Sequence, residues 1–197
     1  MQFLRPKLAR TGDFQHPASF ASYCPSASDD GSWVGIGGVH TGNLAQAGSA
    51  TWSGGYGHSG PIDWVMGFME VLPDPPVFST NGVAGNSGDT LHADVAYNNP
   101  SSTTFFFGNQ SKGTSQSWST TIPRANLDGT TAEWIDEAPG AFLLRKSAGV
   151  DWGQIFENGA NQPYGSISLL DQTRTHTMMT AGGYQNDGFT NTWHACS

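Results

Sequence analysis

The chain has 197 residues, a formal net charge of −8 and a sequence pI of about 4.9, and only 12% of its residues are charged. Its eight Lys and Arg residues are scattered singly, so the sequence argues against nucleic acid and against an anionic membrane surface as partners. The length suits one domain, and no apolar run approaches the ~20 residues of a membrane span.

The N-terminal segment is basic and irregular. We expect residues 1–12 to form an arm or an edge strand, followed by a single β-sandwich domain over residues 13–197. Arg5, Pro6 and Lys7 lie where a signal peptide would need its apolar stretch, so either a leader has been removed or the chain was never exported by that route. Because a low fraction of charged residues is common in extracellular β proteins, we expect a secreted or extracellular protein.

The two cysteines, Cys24 and Cys196, lie near opposite ends of the chain. A disulfide would tie the last strand to an early one and is favoured by the extracellular composition, while two free buried thiols are the alternative. The six histidines show no metal-ligand spacing, and two cysteines alone cannot build a zinc site. We therefore expect no metal and no other cofactor.

Short strands account for most of the chain. Residues 32–38 form a strand of β-branched and aromatic residues with glycines, residues 43–48 form a short strand, and residues 64–73 form the most apolar segment. Many short strands without a helical period predict an all-β fold, an antiparallel sandwich. Further strands are predicted at 90–97, 103–108, 115–121, 131–137, 141–144, 150–156, 165–170, 175–180 and 189–194, the first four as a meander.

Two strands place a polar side chain among apolar ones. Gln46 shares a strand face with Leu44 and must satisfy two donors and an acceptor, which indicates a wet surface or a polar cleft. Glu70 is the single charge of the most apolar segment, and alternation puts it on one face with Phe68 and Leu72. A carboxylate amid that much hydrocarbon is rarely accidental.

An acidic strand with the sequence TAEWIDEAP, residues 131–139, contains three more carboxylates, of which Asp136 faces the opposite way from the two glutamates. Glu133, Ile135 and Glu137 face one way, so both glutamates share a face with an isoleucine. Desolvation there disfavours the charged forms unless hydrogen bonds hold them. The pair either lies on a solvated sheet face or takes part in catalysis, and the strand taken alone favours the first interpretation.

Aromatic residues suggest alternative functions. Trp52 and Tyr56 belong to a Gly/Ser-rich loop that forms either a lip over a groove or simply a hairpin end. Together with Trp64 they would suit a non-catalytic, carbohydrate-binding sandwich. A glycosidase is a further alternative, in which Glu70 and Glu137 are acid and nucleophile about 5 to 5.5 Å apart and Gln46 turns away.

Several short motifs occur in an order that resembles the glutamic peptidases, also called eqolisins, from about residue 11 to the end. The last motif, FTNTWH at residues 189–194, looks like the closing strand of the bacterial members. The motifs are WVGIGG (33–38), LAQAG (44–48), FMEVLP (68–73), SGD (87–89), AEWIDEAP (132–139) and FTNTWH (189–194).

This resemblance implies a lectin-like (concanavalin-like) jelly roll of two seven-stranded antiparallel sheets with a Gln/Glu pair in a groove on one concave face. By position the pair is Gln46 and Glu137, with Glu133 structural and with Glu70 and Trp33 beside the site. Glu137 would be general base and then acid, and Gln46 the oxyanion donor. The implied function is an acid-acting, pepstatin-insensitive endopeptidase on polypeptide substrates, which we expect to be a monomer.

The chain departs from the family pattern at three places. Gly37 stands where the family usually has an Asp, so one acidic neighbour of the site is missing. Phe68 and Met69 replace a Trp-Tyr pair ahead of Glu70, which should alter the pockets for substrate side chains. Trp52 and Tyr56 are further candidates for substrate contacts, and the N-terminal strand lacks the Asn-Trp motif of the family.

Overall fold

The computed structural model describes most of the strands and the turns between several of them. It describes residues 8–15, 28–38, 42–53, 65–79, 83–86, 88–99, 102–120, 127, 131–137, 143–144, 150–157, 169–170, 177–182 and 189–193.

All regular structure in those ranges is β, as the spacing of short alternating segments predicts. No helix in the described ranges has the length and apolar character that would be needed to cross a membrane. The strands are β1 (Leu8–Gln15), β2 (Ser28–Gly37), β3 (Leu44–Ser53), β4 (Val65–Val71), β5 (Val77–Phe78), β6 (Ala84–Gly85), β7 (Thr90–Asn99), β8 (Ser102–Asn109), β9 (Thr114–Thr120), β10 (Ala132–Glu137), β11 (Leu143–Leu144), β12 (Val150–Glu157), β13 (Leu169–Leu170), β14 (Thr177–Ala181) and β15 (Phe189–Trp193).

The strands form two sheets. One has eight strands in the order β13-β14-β15-β12-β1-β7-β8-β9. The other has seven, in the order β10-β2-β3-β4-β5, with β11 beside β2 and β6 beside β4. Between the described strands every pairing is antiparallel except that of β11 with β2. The all-β antiparallel sandwich is therefore confirmed, although one sheet has eight strands where the resemblance implied seven.

Strand β1 is an interior strand. It pairs with β12 on one side and with β7 on the other. The expected boundary after residue 12 falls inside this strand, so residues 8–12 are neither an arm nor an edge strand. Because β1 lacks a long apolar run, local pattern does not reveal that both of its edges are paired.

The core lies between the two sheets and follows strand alternation. Alternate residues of β2, β3, β7 and β8 point into it and are almost wholly buried. Each fully buried Val, Leu, Ile or Phe side chain contributes about 1.5–3 kcal/mol relative to an exposed one. The fully buried large side chains are Val34, Ile36, Val65, Leu91, Val95, Phe105 and Phe107.

The opposite face of the seven-stranded sheet, here called the site face, carries a separate and smaller apolar cluster. The two clusters share no residue, because the intervening positions of each strand alternate between them. The cluster on the site face contains Trp33, Leu44, Ala50 and Phe68, with Leu72, Phe78 and Ile135 packed against it.

Strand β10 joins the seven-stranded sheet. The sequence placed it after β7, β8 and β9 as the fourth strand of a meander, and those three strands do pair consecutively. The fourth strand instead crosses to the other sheet and pairs with β2. That assignment was wrong, and the crossing brings the acidic strand onto the sheet that carries Gln46.

Candidate active site

One row across the seven-stranded sheet contains two of the candidate carboxylates and the candidate amide. Glu133 pairs with Gly35, Gly35 with Gln46, and Gln46 with Glu70. Directly paired residues point to the same face, and neighbouring strands are about 4.8 Å apart. Glu70 is therefore an immediate neighbour of Gln46, whereas Glu133 lies two strands away across a residue that has no side chain.

Gln46 and Glu70 are joined by a hydrogen bond. The Nε2 group of Gln46 donates to Oε2 of Glu70. Gln46 is only 4% exposed, and among the described residues its Oε1 atom has no hydrogen-bond partner. An unsatisfied buried acceptor costs about 1–3 kcal/mol, so a buried amide with one free acceptor is a candidate for a ligand or a reacting molecule.

Trp33 and Glu137 form the second pair on the site face. The indole Nε1 of Trp33 donates to Oε1 of Glu137 at 3.0 Å. The six-membered ring lies over Gly35, because a Cβ atom there would be 2.7 Å from Cζ3 of Trp33. Trp33 therefore reaches from the row that contains Gln46 to the glutamate at the end of β10.

The backbone beneath Trp33 is closely packed. Gly48 pairs with Trp33 across the β2–β3 ladder. A Cβ atom at Gly48 would lie 2.1 Å from the carbonyl oxygen of Ser32 and 2.5 Å from Cα of Trp33. Glycine is therefore needed here for close approach of two backbones, which holds the indole at a defined height over the sheet.

All three glutamates of the site face have raised pKa values, with burial as the largest cause. The hydrogen bond from Trp33 partly offsets the raised pKa of Glu137. For Glu70, the bond from Gln46 lowers the pKa and the charge of Glu137 raises it. For Glu133, burial raises the pKa and the hydroxyl of Thr131, at 3.5 Å, lowers it.

The influence of Glu137 on Glu70 connects the two pairs. A carboxylate raises the pKa of another only when the two lie within electrostatic reach. The ring of Trp33 also lies over Gly35, the residue paired with Gln46, so the Gln46–Glu70 pair and the Trp33–Glu137 pair lie near one another on the site face. The structure describes the side chain of one Lys or Arg residue, Lys112. Because Lys112 binds Asp89, no described cationic side chain pairs with the carboxylates of this site.

An apolar floor surrounds these polar groups. Phe68 lies in the row of Trp33, and its ring centroid is 6.4 Å from that of Phe78 at an angle of 56°. Such a surface can hold an apolar side chain of a bound chain. Phe78 is not predictable from the sequence pattern, since its two-residue strand follows two prolines and shows no alternation.

Gly37 explains one departure from the family pattern. Its φ is +88°, and a Cβ atom there would lie 2.5 Å from the carbonyl oxygen of Asn43. An aspartate would be strained by the backbone conformation and would also collide with the backbone of the next loop. The acidic neighbour is absent because this turn leaves no room for it.

The remaining candidates lie partly outside the described residues. Trp52 belongs to β3 and pairs with Asp29, but its side chain is outside the description, as are Tyr56, Cys24 and Cys196. The carbohydrate-binding and disulfide hypotheses therefore stay untested. The glycosidase alternative required Gln46 to turn away from the carboxylates, and this condition is not met because Gln46 donates to Glu70.

The described groups offer acid–base chemistry and hydrogen bonding. In those ranges no group of three or more His, Cys, Asp or Glu side chains is placed to hold a metal ion. Two coupled carboxyls, a buried amide and an indole donor can activate a water molecule and can stabilise a developing oxyanion.

Comparisons with known proteins agree with this chemistry. The model of the Peptidase A4 family matches residues 11–182. No curated protein matches the chain in sequence.

Solved structures of glutamic peptidases have a similar fold. Aspergilloglutamic peptidase from Aspergillus niger has 18% identity and a TM-score of 0.68, over 85% of this chain and 99% of that one. Scytalido-glutamic peptidase with a transition state analog inhibitor has 13% identity and a TM-score of 0.65, over 95% and 92%. SCP-B, an eqolisin in complex with the tripeptide Ala-Ile-His, has 12% identity and a TM-score of 0.59, over 94% and 92%. At these identities the likeness establishes the sandwich fold.

Proposed function

Because the chain belongs to the peptidase A4 family and is a glutamic endopeptidase, we propose that it hydrolyses peptide bonds in mild acid with Gln46 and Glu137 as its catalytic pair. The observation that carries this proposal is the Gln46 amide, which is buried on the site face and has an Oε1 atom without a partner among the described residues. A water molecule bound there would satisfy that acceptor.

Glu137 is the general base in this mechanism. Its ionised carboxylate takes a proton from the water while Oε1 of Gln46 accepts the other hydrogen. The water oxygen forms a bond to the carbonyl carbon of the peptide, and the π electrons of that carbonyl move to its oxygen. The raised pKa of Glu137, caused mainly by burial, makes it a stronger base than an ordinary glutamate in mild acid.

Gln46 also supports the oxyanion. Its Nε2 group has two hydrogens, and one is donated to Glu70. The second is available to the negatively charged oxygen of the tetrahedral intermediate. Removal of one such donor lowers the rate by about 100- to 1000-fold in other hydrolases.

Collapse of the intermediate completes the reaction. Protonated Glu137 gives its proton to the leaving nitrogen, the carbon–nitrogen bond breaks, and the products are a carboxylic acid and an amine. Glu137 returns to its ionised form, so each turnover consumes one water molecule and no other reactant. The low fraction of charged residues, 12%, supports an extracellular place of action.

The test is hydrolysis of casein or haemoglobin at acid pH by the wild type, Glu137→Gln and Gln46→Ala. Both variants should lose cleavage while they keep the circular dichroism spectrum and thermal transition of a folded protein. Asp74→Asn is the matched control, because it removes one carboxylate from an exposed turn. Activity of the wild type should resist pepstatin. Wild-type rates in either active-site variant would refute the proposed pair.

A further inference from the structure

Gln46 poses an orientation problem that packing cannot solve. The oxygen and nitrogen of a carboxamide have nearly the same size, so a half-turn exchanges them without any change in fit. Only hydrogen-bond partners distinguish the two states. On the β2 side the residue paired with Gln46 is Gly35, which has no side chain, and on the β4 side it is Glu70.

We propose that Glu70 is a positioning residue, which fixes the Gln46 amide with its nitrogen on β4 and its oxygen toward the reacting water. This inference rests on the proposed function. A charged carboxylate only accepts hydrogen bonds, so it binds Nε2 of Gln46 and repels Oε1. The opposite orientation would place two acceptors against each other and would turn the amide nitrogen toward the water.

The free acceptor on Gln46 is the second observation that supports this role. With Nε2 held by Glu70, Oε1 is the atom that stays without a partner among the described residues. The carboxylate thus leaves unpaired the one amide atom that can accept a hydrogen from a nucleophilic water. Glu70 acts on the reaction through Gln46, not on the substrate itself.

Protonation of Glu70 removes this discrimination. A neutral carboxyl group can donate its own proton to Oε1, so it tolerates the reversed amide as well. The polar groups that act on Glu70 are Gln46 on β3 and Glu137 on β10, while β5 offers only apolar side chains. Glu133 lies in the same row but three strands away. Burial and the charge of Glu137 both raise the pKa of Glu70, so its protonation falls in mild acid.

The acid limb of activity should therefore contain two protonations, one of Glu137 and one of Glu70. Charged Glu137 is required as base and charged Glu70 as anchor, so activity falls as pH drops through either raised pKa. A plot of log kcat against pH should accordingly be steeper than 1 on its acid side over the range in which both groups titrate.

Kinetics of Glu70→Ala and Glu70→Gln test the proposal. In Glu70→Ala the amide loses its anchor, and kcat should fall by about 100-fold, as for a small misplacement of a catalytic group, while KM changes little. In Glu70→Gln the new carboxamide can accept from Nε2 or donate to Oε1, so, like protonated Glu70, it holds the amide in either orientation. This variant should have a kcat between those of the wild type and Glu70→Ala, and its acid limb should have a slope of about 1, because one group no longer titrates. Asp74→Asn should keep both the rate and the slope.

Nuclear magnetic resonance of the Gln46 side chain separates this proposal from the proposed function. This measurement does not require an active enzyme, so it can be made on Glu137→Gln. In that variant the ¹⁵N-labelled Gln46 NH₂ signals should shift as Glu70 titrates. In the Glu137→Gln/Glu70→Gln double variant they should no longer shift. If Glu137→Gln stays active, the catalytic pair is wrong, but this titration still decides whether Glu70 holds the amide. A folded Glu70→Ala variant with the kcat and the acid-limb slope of the wild type would overturn the positioning role. Gln46 NH₂ chemical shifts that do not change with pH would overturn it as well. If Glu70→Ala does not fold, Glu70→Gln decides by its slope.

Discussion

Trp33 donates its indole N–H to Glu137 across 3.0 Å, which joins two residues 104 positions apart in the chain. The bond lies on the site face, where Trp33 is 5% exposed and packs over Gly35. It lowers the pKa of Glu137 against the larger effect of burial, which raises that pKa. Trp33 therefore keeps the proposed base charged to a lower pH and holds its carboxyl group in place.

Trp33→Phe should move the acid limb of activity to higher pH. The phenyl ring keeps most of the apolar surface but has no N–H, so the pKa of Glu137 rises further. The acid limb of kcat/KM reports the free enzyme and is the measurement to make. Loss of one hydrogen bond should lower the free energy of unfolding by about 1–3 kcal/mol.

Trp118→Phe is the matched control for this change. Trp118 is on β9, at the edge of the other sheet, and packs against the main core. Its replacement should leave the acid limb where it is. A Trp33→Phe enzyme with the wild-type pH profile would show that the indole does not tune the base.

Stability should be greatest in mild acid. Glu70, Glu133 and Glu137 have folded-state pKa values above 4.5, so between 4.5 and those values the folded state binds more protons than the unfolded state. Stability contributed by these groups then falls as pH rises through the raised values. Thermal unfolding across a pH series should show a lower transition temperature at neutral pH.

The carboxyl group of Asp89 has the opposite effect on stability: it makes stability fall as the pH drops into strong acid. Burial opposes its ionisation, but bonds from Asn109, the backbone N–H of Asn86 and Lys112 hold its pKa below 3.8. The stability that it contributes is present above 3.8 and is lost as pH falls through the lowered value. The transition temperature should therefore decline on both sides of a maximum.

Glu133→Gln provides the specific test of this pH dependence. The change removes a partly buried carboxyl group whose charged form is disfavoured, so it should raise the transition temperature at neutral pH and leave it nearly unchanged in mild acid. Asp74→Asn, in an exposed turn, should alter neither value. A Glu133→Gln variant that is less stable than the wild type at neutral pH would contradict the assignment.

Restoring the acid of the family at position 37 should harm the protein. Gly37→Asp forces a side chain into a left-handed conformation, at about 1–2 kcal/mol, and against the Asn43 carbonyl oxygen 2.5 Å away. Overpacking adds about 1–3 kcal/mol. Chemical denaturation should show the combined loss, and peptidase activity should not rise.

Gly42→Asp is the control for the cost of placing an aspartate at a positive φ angle. Gly42 has a φ of +70°, and in the part of the chain that the structure describes no atom beyond its chain neighbours lies within 4 Å of a Cβ built there. Its substitution should show only the conformational cost. Equal stability of the two variants would mean that the collision at Gly37 is relieved by movement of the loop.

Gly48→Ala should reduce both stability and activity. The new methyl group would meet the backbone of Ser32 and Trp33, which cannot rotate away, so β2 and β3 would separate. We expect a loss of about 1–3 kcal/mol and a lower kcat, because Trp33 would no longer hold Glu137 in place. Gly113→Ala, where the surrounding space is open, should retain full activity.

Local pattern predicted most of the longer strands and the face shared by several residues of the site. Alternation alone put Glu133, Ile135 and Glu137 on one face, and Ile135 does pack in the cluster of the site face. It also grouped Glu70 with Phe68, as the structure has them. These predictions succeeded because the period of a strand is a property of a few consecutive residues.

The assembly of the site depended on pairings between distant strands. Nothing in the sequence of β10 places it beside β2 instead of β9, and nothing in that of β3 sets Gln46 opposite Glu70. Strand order and register arise from packing of the whole sandwich, and a shift by one residue would turn every side chain to the other face. The candidate groups were therefore recognisable one by one along the chain, whereas their contacts exist only because two sheets close around a common core.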